Sequence, residues 1–170
     1  MELTPETAPL LAAKYVDIFQ QNFGTTLDFS PSSLEKVDHM LEQFHQEGNS
    51  PEEMQGTVAV VSCYIGEVFR RNAGGKWVSG DGENVPDVIR FPLMMKLPGG
   101  RYTVPYAKVA KRIQNGNEDS ISFYYQVLTQ ITSTRSFDSK DNVSGATKLR
   151  GSGRDGTVSG FLKRLWRRRS

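Results

Sequence analysis

The sequence contains one cysteine, Cys63, and no apolar run that approaches the ~20 residues needed to cross a bilayer. A single cysteine excludes an intramolecular disulfide, and a thiol within an apolar run usually behaves as a small buried hydrophobe. The N-terminus also lacks the basic stretch and apolar core of a secretory signal. These absences predict a cytoplasmic protein, and they leave peripheral attachment to a membrane surface open.

Patterns that bind metals or activate nucleophiles are also missing. His39 and His45 are six positions apart on a predicted helix and therefore do not share a face, and there is no HExxH or CxxC pattern. No recognisable motif ties either histidine to Cys63. The pairs Gly74-Gly75 and Gly99-Gly100 belong to neither GxGxxG nor GxxxxGK[ST], so we interpret them as turns. We expect no metal and no cofactor, and we favour a non-enzymatic role.

Charge is divided along the chain. The whole sequence has a formal net charge of +2, but residues 1–131 hold 11 basic and 16 acidic side chains, a net of −5. Residues 132–170 hold 10 basic and 3 acidic side chains, a net of +7, with few apolar residues before position 160. Such a composition buries too little surface to offset chain entropy. We therefore predict a globular domain over 1–131, a disordered linker over 132–159 and a basic amphipathic segment over 160–170.

A hydroxyl residue followed by proline marks three helix starts, at Thr4-Pro5, Ser30-Pro31 and Ser50-Pro51. The hydroxyl caps free N–H groups, and proline suits the first helical position; Glu53 completes a capping box with Ser50. The predicted helices span residues 5–21, 31–46 and 51–72. The third is apolar on nearly all sides in its middle, which places it at the centre of the fold.

After Gly74-Gly75 the pattern changes to short strands, predicted at residues 76–78, 88–97 and 101–104. A turn at Pro98-Gly99-Gly100 joins the last two, and Pro92 makes the longer strand an edge strand or an interrupted one. Two helices follow, at 105–114 and 118–131, with Asn117 as the expected cap of the second and Phe123 among its core residues.

Together these elements predict an α+β fold. N-terminal helices surround a central apolar helix, a small three-stranded antiparallel sheet and two further helices follow, and a disordered basic tail ends the chain.

A polar cluster is predicted at the end of the third helix. Tyr64, Glu67 and Arg71 follow at three-then-four spacing, with Arg70 beside them and Trp77 shortly after. Their side chains are expected to share one face, with Glu67 held by an arginine and Tyr64 presenting its hydroxyl. The cluster is either a salt-bridged strut or a catalytic carboxylate in a pocket floored by Trp77. We favour the strut, because ionisable networks serve architecture as well as catalysis.

The C-terminal segment combines an apolar side and a basic side. If residues 160–170 form a helix, one side carries the apolar residues and the other most of the charges. The contact residues are Phe161, Leu162, Lys163, Arg164, Leu165, Trp166, Arg167, Arg168 and Arg169. A solubilising tail, or one that folds on contact with a partner, is the plainest interpretation; an anionic membrane surface comes next, and nucleic acid comes last. Phosphate binding alone would not require the aromatic side.

The block Ser62–Arg71, followed by Gly74–Trp77 and Phe91–Pro98, resembles small bacterial domains of unknown function. In those domains a Tyr-x-Gly-Glu helix leads to a Gly-x-Trp strand and a proline-containing hairpin. The resemblance spans about residues 27–128 and implies a shared α+β fold without a reaction or a cofactor. It also implies a bacterial protein that binds an unknown protein partner, with immunity-type binding of a toxin as one form.

Overall fold

The computed structural model describes residues 2–85, 87 and 90–138, and the described chain folds into helices and one small sheet. The helices are α1 (Ala8–Phe23), α2 (Ser33–Gln46), α3 (Gln55–Asn72), α4 (Pro105–Asn115) and α5 (Ile121–Asp138). The strands are β1 (Lys76–Val78), β2 (Met94–Leu97) and β3 (Arg101–Thr103). The predicted α+β class is confirmed.

Helix α3 lies at the centre of the fold. Its residues from Val61 to Phe69 are buried without a break, as the lack of a polar face in the sequence predicts. Helices α1 and α4 pack against it, and α2 packs against α4 and α5. The core therefore forms around α3, and any polar residue in the buried stretch of this helix must find its hydrogen-bond partners inside the protein.

The three hydroxyl residues accept from the N–H three residues on, as expected of caps, but each regular helix begins two to four residues later than predicted, so they cap the turns that precede the helices. The Ser50 N–H donates to Glu53 Oε2 at 3.1 Å and the Glu53 N–H to Ser50 Oγ at 3.3 Å, which is the predicted capping box. Ser30 Oγ accepts from the Ser33 N–H at 3.2 Å, and Thr4 Oγ1 accepts from the Thr7 N–H at 3.3 Å. The residues from each proline onward form a hydrogen-bonded turn, and this turn separates the hydroxyl from the regular helix.

The sheet has the strand order β1-β2-β3 and is antiparallel throughout. Gly99 and Gly100 join β2 to β3 with φ values of 79° and 74°, a conformation that glycine adopts readily. Strand β2 begins only at Met94, so the predicted strand from residue 88 is too long. Pro92 lacks an N–H group for the sheet and ends the pairing on that side. Since β2 is the central strand, proline interrupts this segment and does not mark an edge.

The start of α5 differs from the prediction. Residues Gly116–Asp119 form a short 3-10 turn, and α5 begins at Ile121 instead of Glu118. Asn117 does not cap the helix, because its Oδ1 accepts from Arg112 Nη2 at 2.7 Å. Part of the cap comes from α2: Asp38 accepts from the N–H of Ile121 at 2.7 Å and from that of Ser122 at 2.8 Å. Ser120 Oγ, just before the helix, accepts from the Phe123 N–H at 3.2 Å. A local hydroxyl and a side chain distant in sequence thus cap the helix in place of Asn117.

The burial pattern and the length of α5 also differ from the prediction. Ile121 and Tyr125 are buried, whereas Phe123 is 65% exposed and does not belong to the core. The helix continues to Asp138, beyond its predicted end at Ile131. The remainder of the predicted linker and the C-terminal segment lie outside the described residues, so the domain boundaries stay predictions. Within the described part of the chain, no helix is both long enough and apolar enough to span a membrane.

Candidate functional site

The predicted polar cluster forms where α3 ends and β1 begins. Glu67, Arg70 and Arg71 lie one turn apart on α3, which brings both guanidinium groups to the carboxylate. The chain then turns back through Gly74-Gly75, and β1 carries Trp77 across the same end of the helix. The local sequence thus places an acid, two bases and an indole N–H around one point.

Four hydrogen bonds saturate the Glu67 carboxylate. Arg70 donates Nε to Oε1 at 2.7 Å and Nη2 to Oε2 at 2.8 Å, a bidentate pair. Trp77 Nε1 donates to Oε1 at 3.0 Å, and Arg71 Nε donates to Oε2 at 3.2 Å. The Glu67 side chain is fully buried, while the arginine side chains are 45% and 42% exposed. The predicted arginine clamp on Glu67 is therefore present.

The electrostatics keep Glu67 ionised. Burial by itself raises the pKa of the carboxyl, but the hydrogen bonds from Arg70 and Trp77, with that from Arg71, outweigh it and hold the pKa below its ordinary value. Each oxygen already accepts two donors, so neither has a lone pair directed at solvent. The carboxylate can stabilise its neighbours, but it is closed to a substrate in this arrangement.

Gly66 allows Trp77 to lie against α3. A Cβ atom at position 66 would overlap the outer ring atoms of the indole. With glycine there, the indole lies against the helix, and its Nε1 reaches the carboxylate one residue further along. The Gly-Glu pair thus has a physical role: glycine makes room for the ring, and glutamate fixes its orientation.

Tyr64 does not join this cluster. Its hydroxyl accepts from the Phe29 N–H at 3.0 Å and shares a 2.5 Å hydrogen bond with Ser33 Oγ. The ring is buried among aromatic neighbours, 5.7 Å from Tyr15 and 4.9 Å from Phe29 between ring centroids. Burial raises the pKa of the phenol. The expectation that Tyr64 presents its hydroxyl near Glu67 is wrong, because the side chain points toward α2.

Phe29 is part of the architecture that sequence reasoning missed. It has a positive φ of 60°, which is uncommon for a bulky residue. Its ring lies between the Tyr64 ring and the Arg71 guanidinium, whose carbon is 3.5 Å from the ring centroid. Its carbonyl accepts from Asn72 Nδ2 at 2.8 Å. These contacts hold the strained residue in place and connect the loop before α2 to the end of α3.

A second buried network, also missed, joins α2, α4 and α5. The Arg112 side chain is fully buried and donates to Asp38 Oδ1 at 3.0 Å and to Glu42 Oε2 at 2.6 Å. Its Nη2 donates to the Asp38 carbonyl at 2.9 Å and to Asn117 Oδ1 at 2.7 Å. Asp38 holds both Arg112 and the first turn of α5. No local pattern indicates this network, because Asp38 and Glu42 on α2 are 70 to 84 positions from their partners on α4 and α5.

Two concave surfaces flank Trp77. One is an open depression of about 650 Å³, lined by Glu6, Arg70 and Lys76 with glycine and proline between them. The other is a smaller pocket of about 290 Å³, which also has Trp77 in its lining. Its lining is largely apolar and includes Leu3, Trp77, Phe91, Leu93, Pro105 and Tyr106. We call the second surface the Trp77 pocket.

The remaining candidates have simple surroundings. Cys63 is buried, and burial is the main cause that raises the pKa of its thiol to about 12. His39 is exposed on α2, whereas His45 hydrogen-bonds through Nδ1 to the Ile113 carbonyl at 2.9 Å. In the described part of the chain, no three acidic, histidine or cysteine side chains group in a way that could hold a metal ion. Phe161 to Arg169 lie outside it.

Comparison with known proteins adds no assignment. No family model, curated protein or solved structure matches this chain. The resemblance to small bacterial domains, based on the Tyr-x-Gly-Glu and Gly-x-Trp elements, stays a prediction. The residues around Trp77 and the charge division of the chain are the features that bear on its function.

Proposed function

We propose that the protein is a non-enzymatic interaction domain of the bacterial cytoplasm, and that its basic C-terminal segment attaches it to an anionic membrane surface. The non-enzymatic role is supported by one observation, that the Glu67 carboxylate is closed to a substrate. A catalytic carboxylate needs an oxygen within reach of a substrate, and here both oxygens are occupied and buried. The open surfaces beside it are an apolar pocket and a shallow depression, which suit binding better than chemistry.

A substitution at Glu67 distinguishes two candidate functions, a non-enzymatic interaction domain and an enzyme with Glu67 as its catalytic carboxylate. Glu67→Gln keeps the shape of the side chain but removes the charge and replaces one acceptor oxygen with a donor. Because both arginines are partly exposed, we expect a loss of about 2 kcal/mol, less than for a fully buried ion pair. Glu35→Gln, at an exposed position on α2, is the matched control. Urea unfolding followed by circular dichroism measures both.

Equal unfolding midpoints for Glu67→Gln and Glu35→Gln would contradict the structural role. Glu67 would then again be a candidate catalytic carboxylate, and the alternative function, an enzyme that uses Glu67 and Arg71, would be favoured. A selective loss of stability supports the interaction domain, because it shows that the carboxylate is committed to holding its neighbours.

The membrane part of the proposal is supported by the arrangement of residues 160–170. Phe161, Leu162, Leu165 and Trp166 lie on one side of a helical projection, and Lys163, Arg164 and Arg167 lie on the other. Each basic residue near an anionic surface contributes about 1 kcal/mol, and apolar burial adds to it. A basic segment with an aromatic side fits a lipid interface better than it fits a bare phosphate backbone.

Vesicle sedimentation tests this attachment. The full chain is mixed with vesicles of phosphatidylserine and phosphatidylcholine, or of phosphatidylcholine alone. Replacing Lys163, Arg164 and Arg167 with Ala is expected to weaken binding to anionic vesicles roughly 100-fold, from about 3 kcal/mol of lost attraction. A linker variant with Lys148, Arg150 and Arg154 replaced removes the same charge and is the matched control.

Two results would remove the membrane part. One is equal binding of the two triple variants to anionic vesicles, since the position of the charges would then not matter. The other is binding of the full chain to duplex DNA, at the same salt concentration, that exceeds its binding to the vesicles. Nucleic acid would then be the better assignment for the segment.

A further inference from the structure

The Trp77 pocket is an apolar recess on an otherwise acidic domain. Trp77 forms one wall, and Phe91, Leu93 and Tyr106 contribute to the rest. Its volume of about 290 Å³ is enough for a few side chains but too small for a folded partner. Covering solvent-exposed apolar surface lowers the free energy. The pocket therefore suits a short segment that inserts one or two large apolar groups.

Negative charge lies close to this pocket. Glu52 is near enough to Tyr106 that its charge raises the pKa of the phenol, after the larger effect of burial. Glu6 lines the neighbouring depression, which shares Trp77 with the pocket. The two cations in that depression are Arg70, which is paired with Glu67, and the exposed Lys76. The domain over 1–131 has a net charge of −5, so a basic segment is favoured at its surface.

We propose that, away from a membrane, residues 160–170 of the same chain dock in the Trp77 pocket. Phe161 and Trp166 supply large apolar groups to the recess, and the basic side of the segment faces the acidic surface. The match is between two features of one sequence. One is an apolar recess near Glu52 on a domain of net charge −5, and the other is an amphipathic segment with aromatic and basic sides.

The length of the connecting chain permits this contact. Helix α5 ends at Asp138, and residues 139–159 lie between it and the segment. A chain of that length spans at most about 70 Å, and a Gly/Ser-rich one averages about 25 Å from end to end. A domain of this size has a radius of gyration of about 14 Å. Every face is within reach, and the effective concentration of the tethered segment is in the millimolar range.

Docking and membrane attachment exclude each other, because both use the same apolar side chains. This step rests on the proposed function. In solution the segment is held in the pocket with its aromatic groups covered, and an anionic surface competes for it. The pocket therefore weakens membrane attachment and lowers the exposure of the aromatic groups in solution.

A spin label at the C-terminus of the full chain tests the docking directly. Ser170→Cys introduces a reactive thiol, and Cys63 does not compete for the label because it is buried and its thiol pKa is about 12. Paramagnetic broadening is then measured by NMR without vesicles. We expect strong broadening of the Trp77 indole N–H and of the Leu93 and Tyr106 amides, compared with the reduced label.

The matched control carries the same label with Phe161→Ala and Trp166→Ala, which keeps every basic residue. We expect this pair to reduce the broadening at the pocket at least fivefold. Broadening that is absent, lies elsewhere on the domain or is unchanged in the control would overturn the proposal. A mixture of unlabelled ¹⁵N chain with spin-labelled ¹⁴N chain distinguishes a second copy as occupant. Broadening in that mixture equal to the single-chain signal would also overturn it.

These results are independent of the vesicle experiment. If the full chain fails to bind anionic vesicles while the pocket resonances still broaden, the membrane function is wrong and the docking stands. If vesicles bind but the pocket resonances do not broaden, the membrane function stands and the docking is wrong.

Discussion

Asp38 connects three helices, and Asp38→Asn is the sharpest test of how the fold is closed. One carboxylate oxygen accepts from Arg112 and from the Ile121 N–H. The other accepts from the Ser122 N–H at 2.8 Å and from two hydroxyls, those of Ser120 and Ser122. Asparagine keeps the shape but replaces one oxygen with an NH₂ group that donates. One of these two sets of donors must therefore lose its acceptor.

The expected loss of stability follows from these contacts. Removing a helix cap costs about 1 kcal/mol, and weakening the partner of a buried charge costs about 1.5–3 kcal/mol. Arg112 retains Glu42, so the full cost of an unpaired buried charge does not apply. We expect Asp38→Asn to lower the free energy of unfolding by about 3 kcal/mol and Tm by about 10 °C.

The dependence of stability on pH gives a second readout. Burial raises the pKa of the Asp38 carboxyl, but hydrogen bonds from Ile121 and Ser122 outweigh it and leave the pKa below its ordinary value. A lowered pKa in the folded state contributes stability above about pH 4, and this contribution is lost as pH falls through the folded-state pKa. The variant is therefore expected to have a flatter stability profile at acidic pH than the parent protein.

Urea unfolding between pH 3 and 7, followed by circular dichroism, measures both effects. Asp17→Asn, at an exposed position of α1, is the matched control and is expected to change stability by less than about 0.5 kcal/mol. If Asp38→Asn were as stable as Asp17→Asn at pH 7, the network would not close the fold. An unchanged acid profile in Asp38→Asn would contradict the electrostatic part of the argument.

Three further predictions test the surroundings of α3. Gly66→Ala adds a Cβ that overlaps the Trp77 ring and should lower the free energy of unfolding by about 1–3 kcal/mol, measured by urea unfolding. The control is Gly82→Ala, because the added Cβ there has no atom within 4 Å apart from its chain neighbours. Tyr64→Phe leaves the Phe29 N–H without its acceptor and should cost about 1–3 kcal/mol by the same measurement; no loss would mean that water replaces the hydroxyl. The Cys63 thiol should react with a disulfide reagent at pH 8 only as fast as the fold opens, so a rate equal to that in urea would contradict its burial.

Local patterns carried most of the information about the helices. The hydroxyl-proline pairs predicted real capping contacts, such as the reciprocal bonds between Ser50 and Glu53, because a cap and its partner lie within one turn of chain. The apolar run in α3 predicted its central position for a similar reason. A helix without a polar face has to be covered, whichever elements cover it.

Long-range contacts explain what the sequence pattern could not supply. Asp38 caps α5 from 83 positions away, together with the neighbouring Ser120 hydroxyl, whereas the cap was expected from Asn117. Tyr64 was expected beside Glu67 because the two are three residues apart, yet its hydroxyl bonds to the Phe29 N–H and to Ser33 Oγ, near the start of α2. Spacing places two residues on neighbouring faces, but the partners in the folded protein decide which way each side chain turns.

The Glu67 cluster joins structure to function through Trp77. The indole is held on one side by the carboxylate and by the surface that Gly66 leaves open, and its other surroundings include the Trp77 pocket. A buried ion pair by itself adds little net stability, so orienting this ring is a better reason for its presence. Glu67→Gln should then do more than destabilise the domain. In folded protein well below the unfolding transition, it should also loosen the indole and reduce the broadening from a C-terminal spin label. If the variant lost stability but kept the pocket signal in full, the cluster would be a strut with no part in binding.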